Sequence, residues 1–399
     1  MRRLRNDLPY VFHPPKPCGW IRPFGLWANR SLFLDRKFRV GQLDDEGFDK
    51  VRELSEAGHA VLLAPNHADH SDPHVMIALI ARHRMKPNFM AAREVFEISK
   101  GGAWMLQRMG VFSVDRDGPD LSAIKTAISL LEKSSDPMVI YPEGEIYHHH
   151  ERLDPLHEGV ASILLKAAAR LKDGKRAYLV PVGIRFRHDP SVESTFSGRL
   201  SRLEDRIGWQ PRPQMDVDER ILRLGTGLLG LKEMEHTGEV GVGAVQERLA
   251  AFCEKLLTGV ESRRGTDPKA VTAPERVRAQ RYRIRRLLLD AENPLSEIER
   301  SELLDDLDRV FTALQAHSYI GDYLLAEHTL DRRAETIMKL EEDLLGFPNY
   351  PVPRVARVVA GEPIPVSSML ESGELSPKGG ATPLTALLEE RLSGLLARI

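Results

Sequence analysis

Cysteine is scarce, with Cys18 and Cys253 the two thiols in 399 residues. Two thiols make no disulfide framework, and the chain reads as suited to a reducing compartment. Long apolar runs are missing as well. The longest near the motifs below, 75–81, falls far short of the ~20 residues that span a bilayer. The start, MRRLRNDLPYVFHPPKP, has charge but no apolar segment of the secretory type. Net charge is only −2, so no bulk attraction draws the chain to nucleic acid, and none is expected as a partner. A cytoplasmic protein, soluble or bound to a surface, is the expectation.

The charge that is present lies unevenly. Residues 1–40 hold nine Lys/Arg against Asp7 and Asp35, a balance of +7 that leaves −9 for the remainder. Tyr10, Phe12, Trp20, Phe24, Trp27, Phe33 and Phe38 crowd the same tenth of the chain. Pro9, Pro14, Pro15, Pro17 and Pro23 forbid a continuous helix until about residue 24. Basic residues interleaved with Trp and Phe suit a lipid headgroup layer; they equally suit an arm whose aromatics cover the protein's own surface. Residues 1–43 are set apart as this arm, with a peripheral place on the inner face of the membrane as its expected role.

The chemistry is expected in 58–74, GHAVLLAPNHADHSDPH. Ala60-Val61-Leu62-Leu63-Ala64 is an apolar run of strand length. Pro65 stops the ladder, because it has no N–H to donate. Asn66 and His67 follow in a turn, and an apolar helical period starts after Asp72-Pro73, with Val75, Met76, Leu79 and Ile80 inward. Asp72 is expected as the N-cap and Pro73 as the first helical residue. The pattern reads as strand, polar elbow, helix, with His67 at the carboxyl end of a strand, the edge where open α/β sheets bind ligands. On one ideal helix His67 and Asp72 would sit about 140° apart. With His67 still in the elbow, the Asp72 carboxylate can fold back onto one ring nitrogen. That fixes the tautomer and leaves the other nitrogen to take a proton from a hydroxyl.

NHADHSD resembles the first motif of the glycerolipid acyltransferases, the 1-acylglycerol-3-phosphate acyltransferase family. Further blocks follow in order. Gly110 to Arg116, GVFSVDR, is similar to the second: Gly110 permits a sharp turn, 111–114 is a short strand, and Arg116 presents a permanent cation. Arg116 is expected either to hold a phosphate of the acceptor or of coenzyme A, or to pair with Asp115 or Asp117. Pro142-Glu143-Gly144 after the strand at 138–141 resembles the third block. There Glu145 and Ile146 stand where the family has threonine and a phosphate-binding arginine, and His157-Glu158 where cations are common. The usual phosphate-bearing acceptor is thereby put in question. Val180-Pro181-Val182 resembles the fourth block, lining the acyl side; Pro181 inside an apolar strand implies an edge or a bulge.

The family's last strand and helix do not follow residue 190; their pattern returns at 354–364 and 382–396. We therefore expect an acyltransferase domain in two parts, 44–190 and 349–399, around a helical insertion at 191–348. The first part is read as opening with a helix over 44–57. In the insertion, Val245, Leu249, Phe252 and Leu256 share one face, as do Ile298, Leu304, Leu307, Phe311 and Leu314, and Leu330, Ala334, Ile337, Leu340 and Leu344. The fold class implied is α/β, a mixed, mostly parallel sheet flanked by helices, with a large all-helical insertion.

The resemblance implies transfer of a fatty acyl group from acyl-CoA or acyl carrier protein to a lipid hydroxyl, without a further cofactor or a metal. His67 and Asp72 are the expected catalytic pair, and Asn66, Gly110, Arg116, Glu143, Gly144 and Pro181 the expected substrate side. Oxyanion donors are expected among the backbone N–H groups at the helix mouth. Two rivals stand beside this. A metal-dependent hydrolase would use His67, His70 and Asp72; His67-x-Asp69-His70 resembles half of the metallo-β-lactamase signature, but Pro65 occupies the place of its earlier histidine. A non-catalytic membrane-associated scaffold would keep the fold without the reaction.

Overall fold

The computed structural model describes residues 8–118 and 120–399; the part of the basic arm before Leu8 lies outside the described residues. The chain forms two compact units. One comprises residues 11–115, 120–192 and 350–399; the other is Glu193–Asn349, with which 8–10 and 116–118 group.

The first unit is built on a seven-stranded sheet of β1 (Val40–Glu46), β2 (Ala60–Pro65), β3 (Asn88–Ala92), β4 (Val111–Val114), β5 (Met138–Val139), β6 (Ala177–His188) and β7 (Arg354–Ala360). Their order is β1-β7-β6-β2-β5-β3-β4. Every neighbouring pair runs parallel except β6 with β7. The helices preceding the second unit are α1 (Arg22–Ala28), extended by a wider-wound stretch Asn29–Lys37, then α2 (Phe48–Glu56), α3 (Asp72–Arg82), α4 (Arg93–Glu97), α5 (Lys100–Arg108), α6 (Leu121–Lys133) and α7 (Gly159–Ala168). The central strand β2 is apolar throughout because both of its faces are covered. Ala60, Leu62 and Ala64 pack with Ala127, Leu164, Leu179 and Leu388 in one cluster, while Val61 and Leu63 point to the opposite face and are equally buried.

Two local expectations are corrected. Residues 44–46 are not helical: they end β1, and Gly47 turns the chain in the left-handed region (φ 82°) before α2. A Cβ on Gly47 would lie 2.1 Å from the Ala360 carbonyl oxygen, so the turn admits only glycine. Pro181 lies on an interior strand, between β2 and β7, which corrects the edge alternative. It is tolerated because its nitrogen faces β7 just where that ladder ends: Val182 pairs with Ala360, and the Gly361 N–H then donates to the Pro181 carbonyl at 2.8 Å as the chain leaves. A strand residue's N–H and C=O point the same way, so no donor is missed.

The second unit contains α8 (Glu193–Arg206), α9 (Val217–Thr237), α10 (Val245–Arg264), α11 (Ala273–Leu288), α12 (Glu297–His317), α13 (Tyr323–Ala326) and α14 (Leu330–Leu345). Leu249, Phe252, Leu256 and Val260 form the buried stripe of α10. On α12 the buried face is Leu303, Val310, Ala313 and Leu314, and Ile298 and Leu304 lie exposed instead. Phase shifts of one residue are hard to read on a long helix with apolar residues on two sides. Glu233 is buried and pairs with Arg248 at 2.6 Å, which accounts for it without a ligand. The chain then returns to the first unit as β7, α15 (Val366–Glu371) and α16 (Ala381–Arg398). No helix among the described residues is long and apolar enough to cross a membrane.

Candidate active site

β2 delivers Asn66 and His67 beyond the sheet edge, and α3 starts five residues after His67. The side chain of Asn66 is buried and holds the elbow to β6: its Nδ2 donates to the Ile184 carbonyl at 3.0 Å, and its Oδ1 accepts the Ile184 N–H at 2.7 Å. It thereby copies a strand's hydrogen bonding just where Pro65 ends β2.

Asp72 is already the first residue of α3, preceded by Ser71, and no side chain caps the helix. This corrects the N-cap expectation. Its carboxylate turns backward instead. Oδ2 accepts the Ala68 N–H at 2.9 Å, the Asp69 N–H at 2.8 Å and stands 2.9 Å from His67 Nδ1. Asp72 is fully buried, whereas the His67 side chain retains 14% exposure. A buried carboxylate accepts, so Nδ1 carries the proton and Nε2 is left as a base.

The backbone N–H groups of the elbow are largely engaged. Those of Ala68 and Asp69 meet Asp72, that of Ser71 meets Asp69, and that of His67 meets Glu143. The expectation of oxyanion donors at the helix mouth is therefore corrected for these four groups.

Glu143 joins the third block to the first. One carboxylate oxygen accepts the His67 N–H at 2.6 Å and the other the Asp154 N–H at 3.2 Å. Burial pushes this carboxyl up to about 8, against the lowering effect of the two N–H donors. Asp154 is itself raised by burial but ends below the ordinary carboxylate range, because His149 at 3.0 Å and Arg152 outweigh that effect. Tyr141 stacks on the His67 imidazole with centroids 4.1 Å apart. Burial, then the Asp72 charge, keeps its phenol protonated well above its usual range.

Gly144 has φ 74°, and a Cβ there would lie 3.0 Å from the His157 ring. Gly110 has φ 89°, and a Cβ on it would come within 2.9 Å of the Pro87 carbonyl oxygen, so both glycines are dictated by the backbone. Arg116 falls in the segment that groups with the helical unit, where its neighbour Asp117 pairs with Arg281 at 3.0 Å. The His70 ring lies 5.6 Å from that of His148. Among the described residues, the ligand atoms of His67, His70 and Asp72 do not converge as a metal site requires. That corrects the hydrolase alternative built on them.

Two residues with a hold on the elbow were missed by sequence reasoning. Asp69 is wholly buried and pairs with Arg354 on β7 at 2.9 Å. Burial raises the Asp69 carboxyl, but Arg354 overrides it and holds it far below the usual range. His74, the third residue of α3, stacks on Phe33 at 4.5 Å and donates from Nδ1 to the Asn29 side-chain carbonyl oxygen at 2.6 Å. Desolvation, then the charge of Lys37, depresses it to about 3. Asp69 and His74 carry no periodic signal, and the partner of Asp69 lies 285 residues away.

Residues 45–185 match the family model described as acyltransferase. The chain is also 34% identical over 96 residues to a 1-acyl-sn-glycerol-3-phosphate acyltransferase of Streptococcus pneumoniae, a match covering 24% of this chain and 34% of that protein. The chain thus spans about a third of that relative's length. Mixed sheet, strand–elbow–helix geometry and motif order agree with both likenesses, which support an acyltransferase domain of the glycerolipid type over residues 45–185.

Proposed function

We propose that the protein moves a fatty acyl group from a thioester, acyl-CoA or acyl carrier protein, to the hydroxyl of a lysophospholipid or a related lipid. The acceptor hydroxyl gives its proton to Nε2 of His67 as its oxygen attacks the thioester carbonyl carbon. The carbon–sulfur bond breaks, and the departing thiolate takes the proton back from the imidazolium. Asp72 orients the ring and stabilises its positive form. No acyl-enzyme is formed. The observation that carries this reading is the 2.9 Å contact between His67 Nδ1 and the buried Asp72, with the imidazole still open to solvent.

Gly144 borders the acceptor side, Pro181 the acyl side, and Arg116 is the candidate contact for a phosphate. Glu143 is assigned a bracing role, since both of its oxygens hold backbone N–H groups. Glu145 and Ile146 favour an acceptor whose headgroup phosphate is absent or held elsewhere. Membrane contact through the arm fits exposed Trp20, Phe24 and Trp27 beside Arg22 and Arg30. A place on the inner face of the membrane follows from that reading. The test is transfer of a labelled acyl group from oleoyl-CoA into a lysolipid mixture, with products identified by mass spectrometry. Wild-type activity that persists in His67→Ala would overturn the assignment, and a wild type without transfer or thioester cleavage would return the scaffold reading.

A further inference from the structure

The residue that holds the middle of the elbow comes from the far end of the chain. Arg354 opens β7 and is almost fully buried. Its Nη1 donates to Asp69 Oδ2 at 2.9 Å, and Nη2 to Asp69 Oδ1 at 3.3 Å and Ser71 Oγ at 3.2 Å. Nη2 also reaches the Phe38 carbonyl at 3.2 Å. The guanidinium lies against the rings of Phe186 and Tyr350, at 4.4 and 4.3 Å. A planar cation fixed on two faces and along its edge has little freedom to swing. Asp69 passes this fixity on. Its side chain is gripped by Arg354, while its own N–H donates to Asp72 Oδ2 at 2.8 Å. Asp72 in turn meets His67.

We propose that Arg354 is a positioning residue for the His67/Asp72 pair, acting through Asp69, so that the elbow works only once β7 has returned after the helical unit. The proposal rests on the acyl-transfer reading for its kinetic consequence, but not for its structural one. A buried ion pair is poor evidence of stabilisation, because two neutral groups of similar shape often serve the fold as well. Here a neutral pair would keep the core filled and lose the directional grip on the elbow. Misplacement of a base by about 1 Å reduces turnover up to about 100-fold.

The experiment compares wild type, Arg354→Met, Arg354→Lys and the double variant Asp69→Asn/Arg354→Met. Three readouts are taken: thermal unfolding, the hydrogen-bonded Nδ1–H proton signal of His67 in substrate-free protein (assigned by its loss in His67→Gln), and transfer from oleoyl-CoA into a lysolipid mixture. Arg354→Met, which leaves the buried Asp69 carboxylate without its guanidinium, should lose the most stability. The double variant should recover most of it, yet show a shifted or exchange-broadened His67 signal. Its kcat should fall about 10- to 100-fold, with KM for oleoyl-CoA within about twofold. Arg354→Lys, which keeps the charge without the fork, should fall between and decides the matter if the double variant folds poorly. An unchanged Nδ1–H signal and kcat in either variant would overturn the proposal. A proton signal that shifts in a protein without transfer activity would support it while sinking the acyl-transfer reading.

Discussion

The backbone N–H of His67 donates to the carboxyl of Glu143 at 2.6 Å, so the third sequence block braces the first through main chain rather than through substrate. This carboxyl also sits close enough to Asp72 for the two charges to oppose each other. The arrangement is tolerable because burial keeps Glu143 protonated at neutral pH.

That has a consequence for stability. The Glu143 carboxyl is raised from an ordinary 4.5 to about 8 in the folded chain. Between those values the folded state keeps a proton that the unfolded state has released. Stability from this group therefore falls as pH rises from 4.5 to about 8, then levels off. Thermal unfolding of Glu143→Gln, measured across pH 5–9, should lack this downward component. A parallel decline in variant and wild type would assign it to other groups.

His74 works in the opposite sense. Its pKa drops from 6.5 to about 3 on folding, so it stays neutral where the unfolded chain is already protonated. Its contribution is present above 6.5 and is lost as pH falls toward 3. Asp69, held low by Arg354, adds an acid loss at lower pH. His74→Gln should give a flatter acid limb between pH 6.5 and 4 in denaturant titrations, despite a lower overall stability; an equally steep limb would contradict the assignment.

Much of this architecture is legible from residue types. The β2 run, the turn at Asn66 and the α3 period each obey a local rule, and together they place His67 beside Asp72. What fails is local chemistry that serves a distant partner. Asp72 has the residue type of a cap, but it already lies inside the helix and its carboxylate is used on His67 and the elbow N–H groups. Pro181 has the character of an edge residue, but the end of β7 makes an interior place for it. The Asp69–Arg354 pair leaves no trace because buried charges 285 residues apart share no period or spacing.

The arm offers a test of surface binding. Trp20 is 85% exposed, Phe24 56% and Trp27 54%, while the nearby Cys18 N–H and Lys16 N–H are tied to Arg108 and Gln107 carbonyls on α5. The aromatics thus project from a fixed strap. Sedimentation with phosphatidylglycerol vesicles should fall sharply in Trp20→Ala/Phe24→Ala/Trp27→Ala. Each nearby cation adds about 1 kcal/mol at an anionic surface, so wild-type binding should also weaken with salt. Undiminished binding of the triple variant would remove the arm from this role.

The central claim is that His67 removes the acceptor's proton while Asp72 holds it in place. Its most direct measurement is the rate of labelled acyl transfer from oleoyl-CoA to a lysolipid mixture by wild type, His67→Ala and Asp72→Asn, each checked for folding. The account predicts a loss of at least ~10²-fold in His67→Ala, with Asp72→Asn impaired less in rate but also less stable, because its carboxylate meets three groups. Transfer by a folded His67→Ala at the wild-type rate would contradict it.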